Sequence, residues 1–480
     1  MEKHEPRHVA TVIVATVVSA YCLTSGGPAA AADTTSATSP PARHLADLPG
    51  KAGTALRDRP DWVTAVTPGT PKVHRLADPA GATVDTAPAT TAKALPYDIN
   101  GDGYREVIVG APGENLGPDF NAGMFHVFFG SAAGVTVSGS QVFDQDTPGV
   151  PGSTEDGDQL GWTNTSGDFN ADDYADVAVA ANTEDLGSAV DAGMVDGFGW
   201  TVAAGDVNGD GTSDLVAGSI YDWEDRGWST GAAYVLYGGE FGLSGAHRFS
   251  KDTPGVPGGP GTFDYSKDDT PDRFGWQVTL ADFNGDAKAD LAVGALGSPV
   301  YVDGVRKRDA GTVTVLYSDG TRIATTGAVQ VTQQTSGMPG TAGHKDFFGA
   351  TLAAGDTHGD GKADLAIYSQ GDTYVTVVPG GDTGLRYGSA RGWTQNSAGI
   401  PGSTEPRDYW GGSLRFEDVK NTGYTALVVG ANGENDFRGA FTVIYSTVDG
   451  LTNTGVQAFH QDTPGVAGTA EAGDNFGVFF

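Results

Sequence analysis

The sequence predicts an all-β fold built from repeated small sheets. Three observations predict it: a high glycine content, the near absence of helical periodicity after residue 97, and an aspartate-rich string that returns along the chain. Glycine accounts for 73 of the 480 residues. It punctuates short β-branched and aromatic runs, which is the pattern of tight turns between short strands. A chain of this length could bury several ordinary cores or one ring of repeated sheets, and internal repetition favours the ring.

The repeated string is Asp-x-Asn-x-Asp-x-x-x-Asp. It occurs at Asp98–Glu106, where Glu106 closes it, and at Asp168–Asp176, Asp206–Asp214 and Asp282–Asp290. A fifth copy, Asp356–Asp364, carries His358 in place of asparagine, and a sixth, Asp418–Ala426, has lost nearly every carboxylate. Upstream of the later copies stands a Phe-Gly or similar pair: Leu160-Gly161, Phe198-Gly199, Phe274-Gly275, Phe348-Gly349 and Trp410-Gly411. A run such as Leu291–Ala295 follows directly, then a strand such as Gly311–Tyr317. Linkers recur as well, at Gln145–Gly152, Lys251–Gly258 and Gln461–Gly468. The second repeat is about half the length of the others. Its text runs from Asp191–Met194 straight into Phe198-Gly199, so its sheet is expected to keep two or three strands and leave a notch.

The loop itself has the chemistry of a calcium site. In the third copy, positions one, three, five and nine present the side-chain oxygens of Asp206, Asn208, Asp210 and Asp214, and position seven offers the Thr212 carbonyl. Gly209 and Gly211 let the chain curl around a centre. Calcium takes about six to eight hard oxygen ligands, and alternate spacing delivers them. The same reading gives Asp98, Asn100, Asp102, Tyr104 and Glu106; Asp168, Asn170, Asp172, Tyr174 and Asp176; and Asp282, Asn284, Asp286, Lys288 and Asp290, with the position-seven residue acting through its carbonyl. The copy with Asp356, Asp360, Lys362 and Asp364 is expected to bind more weakly, because imidazole is a poor calcium ligand. Asn-Gly and Asp-Gly turns also favour hairpins without any metal. Recurrence of the full ligand pattern in four copies favours Ca2+ over the bare turn.

Phe-Gly, then an aspartate loop, then Val109-Gly-Ala-Pro112 resembles the FG-GAP repeat of integrin α-subunit head domains, here in a secreted bacterial-type form. The resemblance covers nearly everything after residue 97. It implies a β-propeller in which each repeat supplies one four-stranded blade with calcium in the loop between two adjacent strands. About six blades are expected, the second shortened; seven is the alternative if residues 61–75 are recruited. One such sheet cannot bury both faces alone, so the sheets must stack, and a ring leaves only short edges. Asn475–Phe480 begins a further repeat and is expected to pair beside Val107–Gly110 and close the ring.

The remaining features bound location and function. Residues 1–32 read as a signal peptide, with Lys3 and Arg7 before the apolar run Val9–Leu23 and small residues at Ala30–Ala32. Residues 33–96 read as a Pro/Ala/Thr-rich linker or propeptide, and 97–480 as the propeller. Cys22, the sole cysteine, lies in the leader, so disulfides and thiolate sites are not expected in the exported, extracellular chain. Sixty acidic against 28 basic residues give a net charge of −32, which argues against nucleic-acid and anionic-membrane partners. No membrane span is expected, and the chain is expected to be monomeric. Trp162, Trp200 and Trp276 follow the Phe-Gly pair and fit gaps between sheets better than a sugar-stacking surface; Trp223 and Trp228 break the repeat and are the better ligand candidates. No nucleophile elbow, HExxH helix or phosphate loop occurs, and the chain is expected not to be an enzyme. The function expected is a calcium-binding scaffold of adhesion type for an unidentified protein or glycan ligand at a cell surface. A lectin-like module for extracellular polysaccharide is the alternative.

Overall fold

In the computed structural model the chain falls into two compact units, Met1–Thr16 with Pro71–Phe480, and Val17–Thr70. The structure describes residues 11–14, 74–75 and 95–477, except 133, 136, 138, 149, 151, 184–196, 223–229, 260–270 and 467–468. Most of the proposed leader and linker, Trp223, Trp228 and Val478–Phe480 therefore lie outside the described residues.

The fourth sheet shows how the repeat folds. Phe274–Ala281, Asp290–Ala295, Thr312–Leu316 and Val329–Val331 pair in that order, each antiparallel to the next. The second strand, Asp-Leu-Ala-Val-Gly-Ala, is buried at all six positions, because neighbouring sheets cover both its faces. Small residues at Ala292 and Gly294 on one face and larger Leu291 and Val293 on the other let two sheets approach it at once. The third sheet (Phe198–Gly205, Asp214–Ser219, Ala232–Tyr237, Ser244–Phe249) and the fifth (Phe348–Gly355, Asp364–Ser369, Tyr374–Val378, Arg391–Trp393) repeat this order. So does the sixth, with Ser413–Glu417, Ala426–Ala431, Ala440–Ile444 and Gln457–Phe459.

The first two sheets depart from it. The second repeat supplies Asn164–Gly167 and Asp176–Val179, and the sheet is filled out by Thr11–Val14, parallel to Asp176–Val179, and His74–Arg75, antiparallel to Thr11–Val14. The expected notch is thus occupied by strands from the N-terminal region. The first sheet has three described strands, Val107–Ala111, Met124–Phe128 and Gln141–Phe143. Among the described residues five sheets are complete four-stranded blades, which corrects the expected six or seven. The reason is local: residues 95–98 form a turn, with the Asp98 N–H donating to Leu95 O and the Tyr97 N–H to Ser166 Oγ, so no innermost strand precedes Val107 among the described residues.

Successive sheets share cores. Phe125, Val127, Val177 and Val179 join the first and second; Phe169 and Leu215 the second and third; Val216, Val235, Phe274 and Leu291 the third and fourth. Val313, Phe348 and Ile367 join the fourth and fifth, and Tyr368, Trp410 and Leu427 the fifth and sixth. The two glycines of the repeat meet at these junctions. A Cβ on Gly218 would stand 2.0 Å from the Gly275 carbonyl oxygen, and Gly275 has φ +90°, so the backbones touch where no side chain fits. Trp162, Trp200 and Trp276 line up across three neighbouring sheets, with ring centroids 5.3 and 5.0 Å apart. Trp162 Nε1 donates to Trp200 O, and Trp276 Nε1 to Ala350 O, so these indoles tie each sheet to the next.

Candidate functional site

Each aspartate loop is anchored by its second and ninth residues. Residue two is a plug: Ile99, Phe169, Val207 and Phe283 are fully buried, and burying a Phe or Ile of this kind is worth about 2–3 kcal/mol. In the degenerate sixth loop the same position, Val419, is half exposed. The ninth residue is a clamp. Asp214 accepts the Val207 N–H on one oxygen at 2.9 Å and the Gly238 N–H on the other at 2.9 Å. Asp290 does the same with Phe283 and Ser318, Asp364 with Thr357 and Gly380, and Glu106 with Ile99 and Gly130. Asp176 accepts the Phe169 N–H and the Asn170 side-chain amide. These carboxylates are almost wholly buried, so the turn after the third strand is held by an acid some two dozen residues earlier.

Positions one, three and five curl the loop. Asp206 accepts the Gly209 and Gly211 N–H groups, Asn208 Oδ1 that of Asp210, and Asp210 Oδ1 that of Thr212. Asp282, Asn284 and Asp286 repeat the arrangement, as do Asp168, Asn170 and Asp172, and Asp98, Asn100 and Asp102. Tyr104, Tyr174, Thr212, Lys288 and Lys362 stand at position seven, where each N–H is held by the carboxylate at position five. Among the described residues no three acidic, histidine or cysteine side chains are gathered as a metal cage. The donor set still fits a cation. Asp98 Oδ1 is buried with no hydrogen-bond partner among the described residues. Burial, reinforced by the neighbouring loop aspartates, pushes Glu106 and Asp290 up to about 7 and Asp214 up to about 6. Asp98 and Asp172 are raised by the same causes.

The loops are also chained to one another. The residue at position eight donates its N–H to the position-one carbonyl of the preceding loop: Ser213 to Asp168, Ala289 to Asp206, Ala363 to Asp282 and Thr425 to Asp356, at 2.6–2.9 Å. Position seven then lies across the preceding loop's fourth residue, Tyr174 on Gly101, Lys288 on Gly209, Lys362 on Gly285 and Tyr424 on Gly359. In the fifth loop His358 Nδ1 lies 3.0 Å from Asp364 Oδ2, on an oxygen already bonded to the Thr357 N–H and hydroxyl. The imidazole therefore engages the loop's own closing carboxylate.

One recurrent acid is absent from the sequence reading. Asp158, Asp346, Asp408 and Asp474 each stand two residues before the Phe-Gly-like pair and accept the N–H of the residue three earlier. Its signal in the sequence is an aspartate two residues before the pair, as in Asp346-Phe-Phe-Gly349 and Asp474-Asn-Phe-Gly477.

Comparison with known proteins fits this geometry. The FG-GAP repeat family matches residues 92–128, 198–236 and 274–316, the first, third and fourth repeats. The chain carries FG-GAP repeats in a β-propeller arrangement. It is similar to a phosphatidylinositol-glycan-specific phospholipase D of Dictyostelium discoideum, 23% identical over 287 residues, which is 58% of this chain and 23% of that protein. The FG-GAP chain therefore spans under a quarter of its relative's length. A solved rhamnogalacturonan lyase, YesX, is similar at 12% identity over 54% of this chain and 46% of the lyase, with a TM-score of 0.28. The expectation that the chain is not an enzyme is corrected by the likeness to the phospholipase D, a protein named for an enzymatic activity. Motif absence was a poor guide because a propeller can be one part of an enzyme whose chemistry is assembled elsewhere. No described helix is long and apolar enough to cross a membrane.

Proposed function

We propose that this propeller is exported, carries calcium in its aspartate loops, and serves as a binding scaffold for a protein or cell-surface ligand. The observation that carries the reading is the chained row of loops with raised carboxyls and the orphaned Asp98 Oδ1. Side-chain oxygens at positions one, three, five and nine and the position-seven carbonyl would hold the ion in the loops at 98, 168, 206 and 282. The loop at 356 would hold it more weakly because His358 occupies Asp364. When bound, calcium supplies positive charge to a chain of net charge −32; five ions would offset about ten of those charges. The chain's own residues do the rest, since from the loop at 168 onward each main chain bonds to the next.

The test is thermal melting of the full chain with calcium and with chelator. Extracellular sites of this type bind at about 10⁻⁴–10⁻³ M, and a hundredfold excess over Kd stabilises by about 2.7 kcal/mol per site. A melting temperature that chelator leaves unchanged would remove the calcium reading. Capture of partners from native culture medium, with and without calcium, then tests the scaffold role. The similarity to a phosphatidylinositol-glycan-specific phospholipase D favours a second reading, in which the propeller belongs to a phospholipase acting on glycan-bearing lipid. Release of phosphatidic acid from such a lipid by the calcium-loaded chain, or its absence, decides it.

A further inference from the structure

The fifth loop, where histidine replaces the usual asparagine, borders a pocket of about 280 Å³. Its polar lining includes His358, Arg386, Ser389, Arg391 and Asp449, with Trp393 beneath. Two guanidinium groups in one pocket stand out in a chain with 60 acidic and 28 basic residues.

The groups are held for use. Trp393 is buried and fixed by its Nε1 donating to Asn453 Oδ1 at 2.7 Å. The Arg391 guanidinium lies 5.3 Å from the centre of that indole and donates through Nη1 to Leu451 O at 3.0 Å, which leaves its other N–H groups available. Arg386 is exposed and forms no ion pair among the described residues; the nearby Lys362 takes Asp382 and Asp360. His358 Nδ1 is engaged by Asp364, so the carboxylate, an acceptor, sets the tautomer with the proton on Nδ1. Its Nε2 lies against Gly450, where a Cβ would come within 2.6 Å, and is an acceptor at the pocket edge. Asp449 adds a second acceptor and Ser389 a hydroxyl.

We propose that this pocket between the fifth and sixth sheets binds an acidic sugar unit, its anionic group on Arg386 and Arg391 and its hydroxyls on His358 Nε2, Asp449 and Ser389. Guanidinium pairs recognise a carboxylate or a phosphoryl group through parallel N–H bonds. Acceptors beside them suit a ligand that also carries hydroxyl donors, which a bare inorganic anion lacks. The assignment rests on the scaffold reading and names a ligand class for it, but it does not depend on calcium.

The test is calorimetric titration of the full chain with an oligoglucuronate, with glucose 6-phosphate and with a neutral glucose oligomer. Saturable binding of one or both anionic sugars, and none of the neutral oligomer at the same concentration, is expected; which of the two binds tells carboxylate from phosphoryl recognition. Arg386→Gln and Arg391→Gln should each weaken binding about tenfold or more, in line with loss of a charge-assisted hydrogen bond. Arg386→Gln is the safer variant, because no carboxylate holds that side chain and its melting temperature should match the parent. No binding of either anionic sugar, equal binding of the neutral oligomer, or full affinity in both variants would overturn the assignment. Loss of the pocket in this way would leave partner capture as an independent measure of the scaffold.

Discussion

At the residue scale, one substitution within the repeat shows how its interior tolerates charge. Gln145, Gln333, Gln395 and Gln461 stand at equivalent linker positions, and Gln333 and Gln395 donate to Asp372 and Glu434. The third linker has Lys251 instead, almost wholly buried, donating to Ser298 Oγ at 2.5 Å and lying 3.6 Å from Asp272. Burial lowers the Lys251 pKa, and the Asp272 charge only partly opposes it. The sign follows from linkage. A lysine with a depressed folded pKa penalises the native state while it is protonated, and the penalty is relieved as pH rises through that folded value toward the ordinary lysine range. Lys251→Gln should therefore stay folded and lose less than about 1 kcal/mol at pH 7, with any advantage over the parent shrinking toward pH 10. Lys251→Met leaves Asp272, Ser298 and Thr312 without their donor and should cost about 3–5 kcal/mol. Urea unfolding across pH measures both. Equal stability of the two variants would mean that Asp272, Ser298 and Thr312 need no donor from position 251.

At the element scale, the calcium proposal divides the loop into a part that would need the ion and a part that would not. Asp210→Asn keeps an oxygen for the Thr212 N–H but removes a charge, so it should match the parent in chelator and melt lower only in calcium. Asp214→Ala abandons two buried N–H groups and should cost about 2–4 kcal/mol in either condition. If Asp214→Ala were silent in chelator, the clamp would be wrong. Calcium titration should count about four stronger sites and one weaker, the latter restored toward the others by His358→Asn. The loop's alternating Asp/Asn spacing, the Phe-Gly pair and the run that forms the second strand were legible because each is a local pattern with one physical cause. The clamp at Asp214 was not, because its partner at Gly238 lies beyond an entire strand, and sequence proximity says nothing of it. Nor was the filling of the second sheet by Thr11–Val14 and His74–Arg75, whose pairing is set by a gap in a distant repeat. The pocket at Arg386 and Arg391 was invisible for the same reason, since its walls come from two sheets.

At the scale of the whole molecule, stability depends on how the sheets meet, and one junction differs from the rest. In three repeats the residue before the glycine of the Phe-Gly-like pair bonds across to the previous sheet: Leu160 N–H to Ala122 O, Phe274 to Thr230 and Phe348 to Ala310, at 2.8–3.0 Å. Phe476 N–H makes the same bond to Arg438 O at 3.1 Å, and the Phe476 ring packs 5.7 Å from that of Phe441. Residues 474–477 thus stand where the innermost strand of a following sheet would start, and the sheet that lacks one is the first. Val107 and Val109 on its open strand are 42% and 44% exposed, whereas their counterparts Leu291 and Val293 are at 0%. Tyr97, whose hydroxyl reaches Asn164, is half-buried, and the Arg415 charge of the sixth sheet acts on its phenol, partly opposing the upward shift that burial causes. Continuation of the chain past Gly477 beside Val107–Ala111 would cover those valines and remove an open sheet edge. Deleting residues 474–480 should then lower stability by about 3 kcal/mol, from two lost main-chain bonds and part of a phenylalanine's burial. It should also speed amide exchange in Val107–Ala111, a site far along the chain from the deletion, and promote association through the bare edge. Phe476→Ala should give a smaller loss of the same kind. A deletion that leaves melting, exchange at Val107–Ala111 and the association state unchanged would show that the first sheet stands complete with three strands.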